Sequence, residues 1–332
     1  MVKRCMNRSE GFVDDSLNGI YRAHKGYYES AGGDVRALVH RGAQTRRVGI
    51  VTGGGFGHLP VFLGYVGDGL CDGCAVGNVF TSPSCDTILA ASRAVVREDG
   101  VLFLFGNYFG DSMNFEMAGE LLADEGIHTS IVKVSDDLAS APRDAWQERR
   151  GIAGISLIYK IAGAYADRGA SREELALLLN GAIERLSTFG VAFSSCTLPD
   201  ADHPIFEILD TDMEIGMGIH GEPGISRAKM VSSNELAAIL SQKLVQDQQL
   251  ASGDRLAVLV NGLGATSREE LYILYGDIED KLQATGAKIV KAYVGEYATS
   301  LEMAGLSVSV LKLDQTLESL LDQPAFTPFA AF

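Results

Sequence analysis

Short apolar runs closed by glycine alternate along this chain with segments whose apolar residues return every three or four positions. Residues 47–52 (RVGIVT), 101–105 (VLFLF), 129–134 (TSIVKV) and 255–261 (RLAVLVN) are too short for helices, and they predict buried strands. Gly53-Gly54-Gly55, Gly106 and Gly262 stand where those runs stop. Residues 288–294 and 307–313 predict two further strands. Residues 112–123 have helical spacing, with Met113, Met117, Leu121 and Leu122 on one apolar face. Residues 151–169 and 171–189 predict two long helices, the second opening on Ser171 and Glu174 at capping-box spacing. Further helices are predicted over 234–248, 267–285 and 315–321.

Strands alternate with helices in both halves. The expected fold class is therefore α/β: two α/β domains, residues 1–188 and 189–332, with mainly parallel or mixed sheets. A polar connection near residues 200–204 (DADHP) follows the division. The substrate site is expected between or beside the domains.

Composition narrows the function. The 332 residues are 46% hydrophobic and 21% charged, a globular balance that argues against disorder. The 28 Lys and Arg against 43 Asp and Glu leave a net charge of −15, which repels phosphate backbones and anionic lipid, so neither nucleic acid nor membrane is an expected partner. No apolar run approaches the roughly 20 residues that span a bilayer. The opening MVKRCMNRSEGF has no apolar core of an export signal, and a cytoplasmic protein with reduced thiols is expected from its five cysteines. Cys71 and Cys74 form a lone CxxC, two of the four ligands that structural zinc requires, so no metal is expected.

Candidate chemistry lies in four glycine-rich turns. Residues 53–60 read GGGFGHLP, whose glycines would let backbone N–H groups approach a small polar ligand next to His58. The segment fits neither GxGxxG nor a Walker A loop. Residues 106–111 (GNYFGD) put Asp111 between a strand end and a helix start, where it either caps the helix or acts as a base. Residues 77–84 (GNVFTSPS) form a turn and N-cap or line a pocket. Residues 213–224 (MEIGMGIHGEPG) surround His220 with glycine, with no helical face on which it would simply pack. A zinc site from His58, Asp111 and His220 lacks metal-ligand spacing.

The segments GGGFGHLP, GNVFTSP, GNYFGDSMNF, RRGIAG, EIGMGIHGEPG, NGLGAT, EELYI and VGEYATSLEMAG occur in the order seen in the dihydroxyacetone kinase family, and the chain resembles its substrate-binding K subunit from about residue 15 to Pro328. The resemblance implies that His220 adds through a ring nitrogen to a ketone carbonyl and forms a hemiaminal, as a neutral imidazole can near pH 7. It implies that Asp111 accepts the proton of the attacking hydroxyl, and that His58 hydrogen-bonds the substrate and shares the acid–base work. Gly55, Phe56, Gly57 and Gly106 would complete the substrate-binding set. Asn261–Thr266 carries no lysine after its last glycine, so no cofactor is expected on this chain. ATP or ADP with Mg is expected on a separate all-helical, DhaL-type nucleotide-binding subunit. A homodimer is implied by resemblance alone.

The chain departs from the family at informative places. The first loop usually reads GGGSGHEP, but Phe56 and Leu59 replace its serine and glutamate. The second usually reads KNYTGD, but Gly106 and Phe109 replace its lysine and threonine. Kept chemistry with altered recognition implies a small ketose related to dihydroxyacetone, such as the tetrose erythrulose, or dihydroxyacetone itself. Some family members are instead ligand sensors that assist a transcription factor, and that is the alternative expectation.

Overall fold

The computed structural model describes residues 4–42 and 45–329, which fall into two compact units. The first holds the chain as far as Val134, Ser156–Gly181 and the segment from Ser319 on; the second holds Ser135–Ile155 and Ala182–Glu318. The expected division at residue 188 lies near the passage at Gly181. The passages near residues 134, 155 and 318 carry no shift of composition that a reading by halves would detect.

The first unit contains α1 (Phe12–Ala23), β1 (Tyr28–Ala31), β2 (Asp34–His40), β3 (Gly49–Phe56), β4 (Gly73–Val79), α2 (Cys85–Val95), β5 (Val101–Gly106), α3 (Phe109–Asp124), β6 (Thr129–Val134), α4 (Ile155–Asp167) and α5 (Arg172–Glu184). Its sheet has the order β1-β2-β4-β3-β5-β6. Strands β4, β3, β5 and β6 run parallel, and β2 and β1 add antiparallel at one side. Val51, Ala75, Phe103 and Phe105 pack against Ile88, Phe115 and Leu122 of α2 and α3, with the Phe105 and Phe115 rings stacked at 4.2 Å.

Two expectations change here. Gly53-Gly54-Gly55 do not end β3 but lie inside it; Gly53 and Gly54 pair with β4, and the register shifts at Gly55. A Cβ on Gly53 would stand 2.7 Å from the Ala75 carbonyl oxygen, and one on Gly54 would stand 2.0 Å from the Phe62 ring. These glycines are needed because neighbouring chain crosses too closely for any side chain. On α3, the face marked by Met113, Met117 and Leu121 points outward. Phe109, Met113, Met117 and Leu121 are all exposed, while Asp111, Phe115, Ala118, Gly119 and Leu122 turn inward. Both rows have helical spacing, and the row of smaller residues lets α3 approach its sheet: a Cβ on Gly119 would lie 3.1 Å from Thr129 Oγ1.

The second unit contains β7 (Leu186–Ala192), β8 (Asp212–Ile215), β9 (Ser226–Lys229), α6 (Ser233–Gln248), β10 (Arg255–Gly262), α7 (Arg268–Gln283), β11 (Lys288–Gly295), β12 (Gly305–Leu313) and α8 (Gln315–Leu321). The sheet order is β11-β10-β12-β7-β8-β9. Only β10 and β11 pair parallel, so the mixed character expected of the sheets tips toward antiparallel in this unit. Alternate residues Val258 and Val260, Val308 and Val310, and Phe189 and Val191 pack with Leu240 and Leu244 of α6 and Leu274 and Ile278 of α7. Capping boxes at Ser232/Glu235 and Ser267/Glu270 start both helices.

The helix expected over 171–189 stops at Glu184, and Leu186–Ala192 is a strand. Leu179, Ile183 and Leu186 continue a helical period across that boundary and conceal it. Strand-forming Thr188, Phe189 and Val191 pair with β12 instead. The capping pair at Ser171 is present: the Glu174 backbone N–H donates to Ser171 Oγ at 3.2 Å, and the Ser171 N–H donates to Glu174 Oε2 at 2.8 Å.

Candidate functional site

In the first unit, the candidate residues collect at the C-terminal edge of the parallel strands. β3 and β5 are neighbours, and the chain leaves β3 for β4 on one side and β5 for β6 on the other. Open α/β sheets place ligand sites at such a reversal of strand order. Gly55, at the end of β3, has no room for a side chain, because a Cβ would lie 2.7 Å from the Thr81 backbone nitrogen. Gly57 has φ +105°, a left-handed conformation that glycine adopts without strain. The turn therefore carries His58 directly beneath the segment between β4 and α2.

His58 is fully buried, with its ring flat on Phe80 at 4.7 Å and edge-on to Phe62 at 6.3 Å. Phe80 holds a φ of +56°, which is strained for a phenylalanine. Sequence reasoning left residues 77–84 between an N-cap and a pocket wall. The segment does two things: Ser84 Oγ caps α2 through the Thr87 N–H, and Phe80 covers His58. Phe56, expected to bind substrate, packs its ring edge-on against Phe12 of α1 at 6.0 Å.

Asp111 does not cap α3. Tyr108 is the N-cap, with no side-chain cap bond, and Asp111 follows in the first turn at 5% exposure. The positive end of the helix dipole favours its carboxylate there. Gly106 ends β5 and accepts the Tyr108 N–H at 2.8 Å. A Cβ on Gly110 would stand 2.6 Å from Ser82 Oγ, and Asn114 Nδ2 donates to the Pro83 carbonyl at 2.7 Å. These contacts draw the turn of Asp111 against residues 80–83, which also touch Gly55 and His58.

His220 belongs to the second unit, in the loop between β8 and β9. Its side chain is 18% exposed, so the ring is not sealed away. Ser300 Oγ donates to the Ile219 carbonyl at 2.6 Å and fixes the preceding backbone. Glu222 Oε2 accepts the His220 backbone N–H at 3.0 Å, and Oε1 lies 3.2 Å from His220 Nδ1. Arg150 Nη1 stands 3.9 Å from Glu222 Oε2, and Arg150 Nη2 lies 2.6 Å from Asp137 Oδ2, which holds the guanidinium in place. Burial pushes the Glu222 carboxyl up, but the His220 hydrogen bond, the imidazolium charge and Arg150 outweigh it and hold it at about 2. A carboxyl held below its unfolded value of 4.5 stabilises the fold above that pH, and this contribution is lost as pH falls through about 2. Urea unfolding is therefore expected to lose midpoint more steeply between about pH 5 and about pH 2 in the wild type than in Glu222→Gln. Equal slopes would show that the contacts of Glu222 do not stabilise the folded state.

Three contributors escaped sequence reasoning: Phe80, Arg150 and Glu222. The RRGIAG segment held a clue in its paired arginines, which divide the labour. Arg149 is buried against Asp247 at 2.6 Å, while Arg150 reaches toward the His220 loop. The NGLGAT turn is structural. Asn261 is buried, donates to the Ala298 carbonyl and accepts the Tyr297 and Ala298 N–H groups, each at 2.8 Å. Cys71 and Cys74 are fully buried, and burial pushes both thiols up, away from reactive thiolate. Among the described residues no group of three His, Cys, Asp or Glu side chains is placed to hold a metal ion. No described helix is long and apolar enough to cross a membrane.

Comparison with known proteins supplies what geometry alone does not. The Dak1 domain model matches residues 18–329. The chain belongs to the Dak1 family. It is 41% identical to the dihydroxyacetone-binding subunit DhaK of PTS-dependent dihydroxyacetone kinase 1 from Listeria innocua, over 94% of this chain and 95% of that protein. It is 43% identical to the D-erythrulose kinase of Mycolicibacterium smegmatis over 98% of this chain, but spans 56% of the length of that relative. Among solved structures, the dihydroxyacetone kinase operon co-activator Dha-DhaQ matches with a TM-score of 0.88 at 29% identity, covering 96% of this chain and 97% of that one. The expected two-sheet α/β architecture is thus the Dak1 architecture, and the chain is a DhaK-like member of the dihydroxyacetone kinase family.

Proposed function

We propose that this chain is the ketose-binding component of a kinase, which holds its substrate covalently through His220 and presents a terminal hydroxyl for phosphorylation. The observation that carries the reading is the partly exposed His220 ring, set in a glycine loop with Nδ1 against a carboxylate. An imidazole so placed is a nucleophile for a carbonyl carbon, and the bond selects ketoses over polyols such as glycerol. Asp111, in the first turn of α3, takes the proton as the hydroxyl attacks phosphorus. His58 shares the acid–base work once substrate displaces the Phe80 cover. The phosphoryl donor, ATP or ADP with Mg, is carried by a DhaL-type partner, and the component itself works as a homodimer.

The substrate is a tetrulose such as erythrulose, with dihydroxyacetone second. Gly106 removes a cation that donates to a substrate hydroxyl in the usual family pattern. That loss weakens a three-carbon ligand by roughly 1.5–3 kcal/mol, and the space it leaves suits a longer one. The likeness to D-erythrulose kinase supports the same choice. The test is a phosphorylation assay with a purified DhaL-type partner on dihydroxyacetone, D-erythrulose, L-erythrulose and glycerol. At least one tetrulose is expected to turn over faster than dihydroxyacetone, and glycerol not at all. Clearly faster turnover of dihydroxyacetone than of both tetruloses would refute the altered pocket.

The fold likeness to the co-activator favours a second reading, a ketose sensor that binds without phosphorylating. A sensor needs no base for phosphoryl transfer, and the buried Asp111 at a helix start argues for the kinase. Covalent binding of ketose together with silence toward every partner and substrate in the assay would favour the sensor.

A further inference from the structure

We infer that Glu222 is the positioning residue that decides which ring nitrogen of His220 reacts, by holding the proton on Nδ1 and leaving the lone pair on Nε2. The inference rests on the covalent role proposed for His220 and assigns a task to a residue that role leaves without one.

The Glu222 carboxylate grips His220 twice. Oε2 accepts the backbone N–H at 3.0 Å while Oε1 faces Nδ1 at 3.2 Å, so ring and backbone are fixed by one side chain two residues away. The loop is shaped for this grip. Gly221 has φ +78°, and a Cβ there would stand 2.0 Å from Ile205 Cδ1. A Cβ on Gly218 would stand 2.3 Å from Glu222 Oε2 and would push the carboxylate off its place. On the far side, Arg150 Nη1 lies 3.9 Å from Oε2. Arg150 is itself fixed by buried Asp137, whose Oδ1 accepts the Ala139 N–H at 3.0 Å.

An ionised carboxylate only accepts hydrogen bonds, so the nitrogen facing it carries hydrogen. A neutral ring then has its lone pair on Nε2. Free imidazole side chains in water prefer the opposite arrangement, with hydrogen on Nε2. The carboxylate also answers the charge that addition creates. The Nε2 lone pair forms the C–N bond, the carbonyl π pair moves onto oxygen, and that oxygen takes a proton from solvent. The ring becomes an imidazolium whose positive charge lies against Glu222. When Nδ1 later gives its proton back to solvent, the adduct is neutral and the balance is closed.

The test uses the full chain labelled with ¹⁵N-histidine, with Glu222→Ala and Glu222→Gln beside the wild type. Two-dimensional NMR reads the tautomer of His220 without substrate, and His220→Ala assigns its signals. Intact-protein mass spectrometry follows adduct formation with dihydroxyacetone and erythrulose. The wild type is expected to show the Nδ1–H tautomer. Glu222→Ala should swing to Nε2–H and form adduct roughly ten- to a hundredfold more slowly. Glu222→Gln keeps an acceptor oxygen without the charge, so it should keep the Nδ1–H tautomer while adding more slowly than wild type. A tautomer unchanged in Glu222→Ala, with that variant folded by circular dichroism, would overturn the inference. The tautomer readout needs no ketose, so failure of every protein to form an adduct would count against the covalent role alone.

Discussion

Replacing His220 by alanine is expected to abolish the carbonyl adduct outright and to bring phosphorylation of ketoses to background. The bond in question has no substitute: once the ring is gone, nothing else in that loop offers a nitrogen lone pair to a carbonyl carbon, since its neighbours are glycine, a carboxylate and proline. The substrate would be left with hydrogen bonds alone, and the orientation supplied by a covalent link would be lost with it. The change also takes from Glu222 the ring that its carboxylate faces, so the fold of the variant is checked by circular dichroism beside the assay. Asp111→Asn is the informative partner. It preserves shape at the first turn of α3 and removes the base, so the adduct should form while phosphoryl transfer falls by roughly 10² to 10⁴. Intact mass reports the first property and a coupled kinase assay the second. An adduct on His220→Ala, or normal turnover by Asp111→Asn, would each strike out the role assigned to that residue.

Val101–Gly106 was legible because a fully buried strand is apolar at nearly every position, whatever packs on it, and Thr129–Val134 because its buried Val132 and Val134 sit at alternate positions of a half-covered edge strand. The glycines of β3 were visible as a cluster but not as strand residues. Their cause is the approach of Ala75, Phe62 and Thr81, which are distant in sequence from the turn they shape. The row Phe109, Met113, Met117 and Leu121 misled for a related reason. Periodicity reports that a helix has an apolar row, and it does not report which row meets the sheet. Only the size match between Ala118, Gly119 and the strands beneath decides that. His58, Asp111 and His220 stood out in sequence because each lies in a glycine-rich turn, and the structure places the first two in one unit and the third in the other. Phe80 and Arg150 lie in segments that the sequence did mark, GNVFTSP and RRGIAG, but their parts depend on a left-handed backbone angle and on a loop distant in sequence, which residue pattern does not show.

The largest stability effect is expected from Arg46, a residue with no part in the chemistry. Its side chain is completely buried and satisfied on several sides: Nη1 donates to the Leu70 carbonyl at 2.5 Å and lies 3.3 Å from Asp72 Oδ2, and Nε and Nη2 reach Asp167 at 2.6 and 3.2 Å. The two acids would respond differently to its removal. Asp167 is 41% exposed and can turn to water, whereas Asp72 is 3% exposed and is left with the Ile50 N–H at 2.8 Å and the charge of Arg97. Burial raises the Asp72 carboxyl and Arg46 opposes that rise. Without the guanidinium the carboxyl must either remain charged in a closed, apolar setting or take up a proton, so Arg46→Ala is expected to cost about 3–5 kcal/mol. The sign of the pH dependence follows. In the variant, folded Asp72 holds a proton that the unfolded chain releases above about pH 4, so stability should fall further as pH rises from there toward neutrality. Asp72→Asn removes the charge that Arg46 answers. The double variant Arg46→Ala, Asp72→Asn should therefore lose less than the sum of the single changes and lose the pH slope, with urea midpoints at about pH 5 and about pH 8 as the measurement. Additive losses, or an Arg46→Ala slope equal to that of the wild type, would mean that Arg46 stabilises this unit by packing and by its bond to Leu70, with the buried carboxylate of Asp72 indifferent to it.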